Sequence, residues 1–168
     1  MMALEGGYDN NGGKLYIGRA PLEGGLHVGK IVPSMGACFI PLFGDEHTVN
    51  NFEVLTVSPQ VQARWVQSNN GQVPPNAVEG GYQDGNKTFV GRALHDGEVA
   101  PGEVVPSDGS FYISHNGAEV EFKNYECLLL DVLPPGAPPA GFPGGPPAYN
   151  QGGQGGWQMP PASAPPTY

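Results

Sequence analysis

Positive charge is what this chain has least of: 7 Lys and Arg, scattered singly, stand against 16 Asp and Glu, for a formal net charge of −9. So few cations cannot build the stripe that phosphate neutralisation needs, which excludes nucleic acid as a partner. The same sign argues against an anionic membrane surface. No run approaches the roughly 20 apolar residues of a spanning helix, so no transmembrane segment is expected. The N-terminal MMALEGGYD has neither a basic nor an apolar leader region. A cytoplasmic location is therefore expected, with non-classical release as the route to any extracellular role. There is no HExxH, CxxC or GxSxG, and the Gly doublets lie in turns rather than in a strand–loop–helix context. The expectation is a non-enzyme without metal or cofactor. The sequon Asn86-Lys87-Thr88 is expected to stay idle without a secretion signal.

What the chain does have is repetition. EGGY at Glu5 returns at Glu79, GRA at Gly18 returns at Gly91, VPS at Val32 returns at Val105, and NFEVL at Asn51 returns as NYECL at Asn124. Arg19 and Arg92, Pro33 and Pro106, and Leu55 and Leu128 are each 73 residues apart, and one extra residue in the NNGG turn after Tyr8 is the only indel. A duplication of this kind serves as an internal alignment: what both copies keep serves the fold, and what differs is free to serve a site. The repeats span 5–57 and 64–132.

Short runs rich in β-branched and aromatic residues recur between glycine-bearing turns, among them Lys14–Ile17, Ala37–Leu42, Phe52–Val57, Phe111–Ser114 and Tyr125–Val132. With no helical period anywhere, the pattern predicts an all-β protein in which tandem pseudo-symmetric repeats form an antiparallel β-sandwich. From Pro134 the composition changes: residues 134–168 carry no charge and are more than half Pro and Gly. This segment is expected to be a disordered tail with polyproline II character.

Among the shared residues, Arg19 with Glu53 and Arg92 with Glu126 predict one internal ion pair per copy. Gly7 and Gly81, Gly29 and Gly102, and Gly36 and Gly109 are expected to supply turn conformations with positive φ. Cys38 and Cys127 align with Phe111 and Val54, so both read as packing residues rather than a disulfide, ligand or nucleophile. The differences include Asp9 where the second copy has Gln83, and Lys30 where it has Glu103. None of the four histidines has a histidine at the matching position: His27, His47, His95 and His115 face Ala100, Val120, Leu22 and Leu42.

The second copy runs Trp65, Gly71, Pro74-Pro75-Asn76-Ala77-Val78, Gly80-Gly81-Tyr82, Phe89-Val90-Gly91-Arg92-Ala93, His95, Gly97, Pro101-Gly102, Pro106 and Tyr125-Glu126. This pattern resembles the DM-nine repeat family of invertebrate proteins, with coverage from Glu5 to Val132. The resemblance implies a β-sandwich of paired repeats and, for several members, lectin activity toward mannose and mannan in microbial recognition. In such lectins the acid after GGY and the lysine of PGK hold the sugar, roles that fall here on Asp9 and Lys30. A carboxylate accepts from two adjacent sugar hydroxyls and an ammonium donates back, so the chemistry suits the task. The second copy has Gln83 and Glu103 instead and is expected to be silent. The first copy has VGK in place of PGK and no Trp-containing leader before Glu5. An element from elsewhere, either a second protomer or the start of the tail, is therefore expected to complete its sheet, and self-association through the open edge is expected.

Pro146-Pro147-Ala148-Tyr149 and Pro165-Pro166-Thr167-Tyr168 both read PPxY, which resembles the ligand class of WW domains. Pro146, Pro147, Tyr149, Pro165, Pro166 and Tyr168 are the candidate contacts. Two functional readings stay open: a mannose-type carbohydrate-binding protein with one competent site per chain, and an intracellular adaptor or stress-responsive protein acting through its tail.

Overall fold

A computed structural model describes residues 1–136 and 155–159. Within them the chain is all β. The first repeat contains β1 (Met2–Ala3), β2 (Glu5–Tyr8), β3 (Lys14–Leu22), β4 (Gly25–Val32), β5 (Ala37–Leu42), β6 (Asp45–Val49) and β7 (Glu53–Val57). The second contains β8 (Val61–Asn69), β9 (Glu79–Gln83), β10 (Asn86–His95), β11 (Glu98–Val105), β12 (Ser110–His115), β13 (Ala118–Phe122) and β14 (Asn124–Val132), and a last strand, β15, spans Gly155–Gln158. Tight two-residue loops set the hairpins. Glu23-Gly24 (φ 50° and 79°) and Asp96-Gly97 (φ 50° and 81°) both take the left-handed pair that matches strand twist.

The repeats interlock. Tyr8 of β2 pairs with Val99 of β11, and the equivalent Tyr82 of β9 pairs with Leu26 of β4. Ala118 of β13 pairs with its own counterpart, Asp45 of β6, so the pseudo-twofold axis passes there. All 15 strands thereby join one antiparallel hydrogen-bonded network. Each repeat keeps a core of its own: Tyr16, Ala20, Ile31, Cys38, Ile40, Phe52 and Val54 in the first, and Ala93, Ala100, Val104, Phe111, Ile113, Tyr125 and Cys127 in the second. A third cluster, centred on Ile17, Val28, Leu55, Val90 and Leu128, joins the two. Cys38 and Cys127 are free and buried in these cores. Burial raises the Cys38 thiol pKa and pushes that of Cys127 up to about 11, so neither is a nucleophile.

The shared glycines divide into two groups. Gly36 (φ 62°) and Gly109 (φ 69°) do adopt positive φ, each closing a one-turn 3-10 helix, Pro33–Met35 and Pro106–Asp108. Gly7, Gly81, Gly29 and Gly102 do not: they sit in strands, where another backbone comes too close for any side chain. A Cβ at Gly7 would lie 1.8 Å from Val99 O, and one at Gly81 would lie 2.0 Å from Leu26 O, at the two inter-repeat junctions. At Gly29 and Gly102 it would lie 2.1 Å from Phe39 O and Tyr112 O.

The expectation of disorder throughout 134–168 is corrected at Gly155–Gln158, which pairs antiparallel with β7 and sets Trp157 opposite Leu55. In the second repeat β8 pairs with β14 and sets Trp65 opposite Leu128, the counterpart of Leu55. The match extends to the cations: the Arg19 guanidinium lies 4.6 Å from the Trp157 ring centroid, and that of Arg92 lies 4.3 Å from Trp65. Arg19 faces Glu53 at 3.4 Å and Arg92 faces Glu126 at 3.0 Å, the ion pairs expected from the duplication. Composition hid β15 because Gly155 and Gly156 have weak strand propensity; here small residues let the segment lie flat on β7 while one indole supplies the burial. The element completing the first repeat thus comes from late in the same chain rather than from the start of the tail.

Replacing Trp157 by Ala removes half-buried ring area and the Arg19 contact, and is expected to cost about 2 kcal/mol in urea unfolding. Trp65→Ala should cost a similar amount, because the two indoles do the same work. Gly102→Ala has no room for its methyl and is expected to lower stability by about 1–3 kcal/mol or more.

Candidate functional site

Strands β4 and β11 hold the only inter-repeat ion pairs among the described residues. Lys30 of β4 donates to Glu98 Oε1 of β11 at 2.7 Å, with both side chains about nine-tenths buried. Nearby, His27 Nδ1 of β4 lies 3.0 Å from Glu103 Oε2 of β11, both almost wholly buried. Lys30 and Glu103 are repeat equivalents, yet they find partners at different offsets. Glu98 aligns with Gly25 and His27 aligns with Ala100, so each site is small where the other is ionic. At Gly25 a Cβ would meet the His27 ring 2.5 Å away, so the imidazole occupies the side-chain space that the glycine leaves open. In both pairs β11 supplies the acid and β4 the base.

Tyr8 and Val99 pair just beside Glu98, and a Cβ on Gly97 would lie 3.2 Å from Asn10 Oδ1, so the β2–β3 turn rests against the β10–β11 turn. Asp9 sits in that first turn. Its Oδ1 accepts from the backbone N–H of Asn11 (2.9 Å) and Gly13 (2.7 Å), which fixes the carboxylate and leaves Oδ2 with acceptor capacity. A side chain at Gly13 would crowd Oδ2 at 2.5 Å, so the glycine keeps that oxygen accessible. Asp9 lines a recess of about 320 Å³ with Gly13, Lys14, Tyr16, Val32, Pro33 and Ser34. Val32 is two residues along β4 from Lys30 and therefore on the same face of the strand.

On the far side of Glu98, His115 Nδ1 of β12 lies 3.8 Å from Glu98 Oε1, and His115 Nε2 lies 3.4 Å from Asp96 Oδ2. The equivalent positions of the second repeat are built differently: Gln83 Nε2 reaches Asp108 Oδ2 at 3.5 Å, and Glu103 is turned inward to His27. Glu103 Oε1 is buried with no hydrogen-bond partner among the described residues.

Of the sequence candidates, Asp9 is held by its own turn and lines the recess, whereas Lys30 is buried against Glu98 of the other repeat. Glu98 and His115 were missed. Both differ from their counterparts, Gly25 and Leu42, as Asp9 and Lys30 differ from Gln83 and Glu103, but the resemblance that singles out Asp9 and Lys30 gives these two no role. The PPxY residues Pro146, Pro147, Tyr149, Pro165, Pro166 and Tyr168 lie outside the described residues. No described helix is long and apolar enough to cross a membrane.

The DM9 repeat model matches residues 9–122 and 82–135 of the chain. No curated protein matches it.

The Lys30–Glu98 pair makes a clean test of cost against role. Lys30→Met strands a buried carboxylate and is expected to destabilise by about 3–5 kcal/mol. Lys30→Met with Glu98→Leu removes both charges and should recover most of that loss. Chemical denaturation of the two variants checks the difference.

Proposed function

Because the chain belongs to the DM9 repeat family, which is associated with carbohydrate-binding lectin-like proteins, we propose that it is a non-enzymatic lectin for mannose-type glycans, with one sugar site per chain built on Asp9 and Lys30 of the first repeat. The observation that carries this reading is that both charged groups are held in place within the structure: Asp9 by its own turn and Lys30 by Glu98 of the other repeat, while the second copy has neither residue.

Sugar recognition needs donors and acceptors held in place before the ligand arrives, since ordering them on binding would cost affinity. Asp9 meets this through its two turn hydrogen bonds, and Oδ2 accepts from a sugar hydroxyl. Lys30 meets it through Glu98, which pins the ammonium while two of its three N–H groups remain for sugar oxygens. In the second repeat Glu103 brings an acceptor where the first has a donor, and His27 already engages it. That side lacks the donor–acceptor pairing.

Asp9→Asn keeps the acceptor for the turn N–H groups and removes the charge. It is expected to lose a charge-assisted bond of about 1.5–3 kcal/mol and to drop off mannan resin at unchanged melting temperature. Undiminished retention of this variant would overturn the assignment. Calorimetry with a mannose oligosaccharide should return one equivalent per chain. Two equivalents would show that the second repeat binds as well.

A further inference from the structure

The second repeat carries a cluster that the sugar reading leaves unused. His95 ends β10, Asp96 opens the β10–β11 turn and His115 ends β12. Asp96 Oδ2 lies 3.5 Å from His95 Nε2 and 3.4 Å from His115 Nε2, and all three atoms fall within 4.8 Å of one another. From these distances we infer that His95, Asp96 and His115 form a binding site for a zinc-class divalent cation.

The separations carry the argument. A charge-assisted hydrogen bond between imidazolium and carboxylate closes to about 2.7–2.9 Å, which neither contact does. Ligand atoms at about 2.0–2.1 Å from a tetrahedral ion stand about 3.3–3.4 Å apart, and two edges of this triangle are already at that spacing. Only the His95–His115 edge has to shorten, and the two rings meet edge to face with centroids 4.8 Å apart, a contact that a small rotation of the His95 ring tightens. Phe122 supports His95 from behind at 5.6 Å.

The comparison between repeats is an independent argument. The counterparts of His95 and His115 are Leu22 and Leu42, of which Leu42 is buried and Leu22 packs on the first core. The position therefore accepts an apolar pair, and the second repeat has exchanged it for two imidazoles whose Nε2 atoms face one carboxylate. Behind His115 stands Glu98, 3.8 Å from Nδ1, and a carboxylate there favours the tautomer with the proton on Nδ1 and the lone pair on Nε2. Asn116 Nδ2 lies 3.2 Å from that Nε2 and has to swing aside on metal binding; it is exposed at the surface, where little opposes the movement. Two imidazoles and one carboxylate suit zinc, copper or nickel better than calcium or magnesium, and the fourth position is left to water or ligand.

Titration calorimetry of the full chain, stripped of metal and in the absence of sugar, with zinc chloride is expected to show one equivalent bound. His95→Leu with His115→Leu, which restores the residues of the first repeat, should weaken that binding at least tenfold, and His47→Ala should leave it unchanged. Cobalt titration should give the visible absorption of a tetrahedral site in the parent and not in the double variant. Should the double variant not fold, Asp96→Asn, at an exposed turn position, reads the same loss. A parent that binds no zinc, or variants that bind it as tightly as the parent, would overturn the proposal. Because no sugar is present, this outcome is independent of mannan binding.

Discussion

Everything in this molecule hangs on two places where one backbone passes against another with no side chain between them. At Gly7 and Gly81 the equivalent strands β2 and β9 press on Val99 and Leu26 of the other repeat, and any Cβ would collide with a carbonyl oxygen. These contacts set β4 and β11 side by side at the pseudo-twofold axis. Ile17, Val28, Leu55, Val90 and Leu128 can then share one core, and ionic side chains on β4 and β11 can reach across. Neither repeat builds these pairs by itself: Lys30 and His27 come from one copy, and Glu98 and Glu103 from the other.

The symmetry of the backbone makes the asymmetry of the charges informative. Two buried ion pairs cross the same interface, and each has a small residue at the position its counterpart uses for a partner. Buried pairs contribute little net stability, because desolvation consumes most of the Coulombic gain, whereas the loss of one member is costly. Their presence at this seam fits a role in fixing how β4 lies against β11. With Lys30 the first side presents a donor held by an acid. With Glu103 the second presents an acid held by a histidine.

The duplication made the fold class and the Arg–Glu pairs legible, because both were written twice. The inter-repeat junctions were not legible, since a glycine needed for close approach looks the same in sequence as one needed for a turn. For the same reason Gly25–Val32 and Glu98–Val105 did not stand out as strands. Their central Gly29 and Gly102, with Pro101 and several charges, break the alternation expected of a strand, yet these two elements carry Lys30 and Glu98. Gly155–Gln158 was hidden by composition. Its signal is positional: a lone Trp157 that stands to Leu55 as Trp65 stands to Leu128 becomes visible only once pairing is known.

That last relation bears on how the protein presents its site. The strand that backs β7 is reached only after the intervening residues 137–154, whereas the one that backs β14 follows directly from the first repeat. Loop-closure entropy makes a strand docked across such a distance in sequence weaker than one delivered by a short connection. On this ground β15 costs less to release from β7 than β8 does from β14. Once released, it would leave β7 with an unpaired edge and Arg19 without its indole. An open edge of this kind pairs readily with the same segment of another chain, which would complete the repeat at no loss of contacts. Exchange of β15 between protomers would then gather several copies of the fold without any new interface, which raises the local concentration of whatever surface each copy presents.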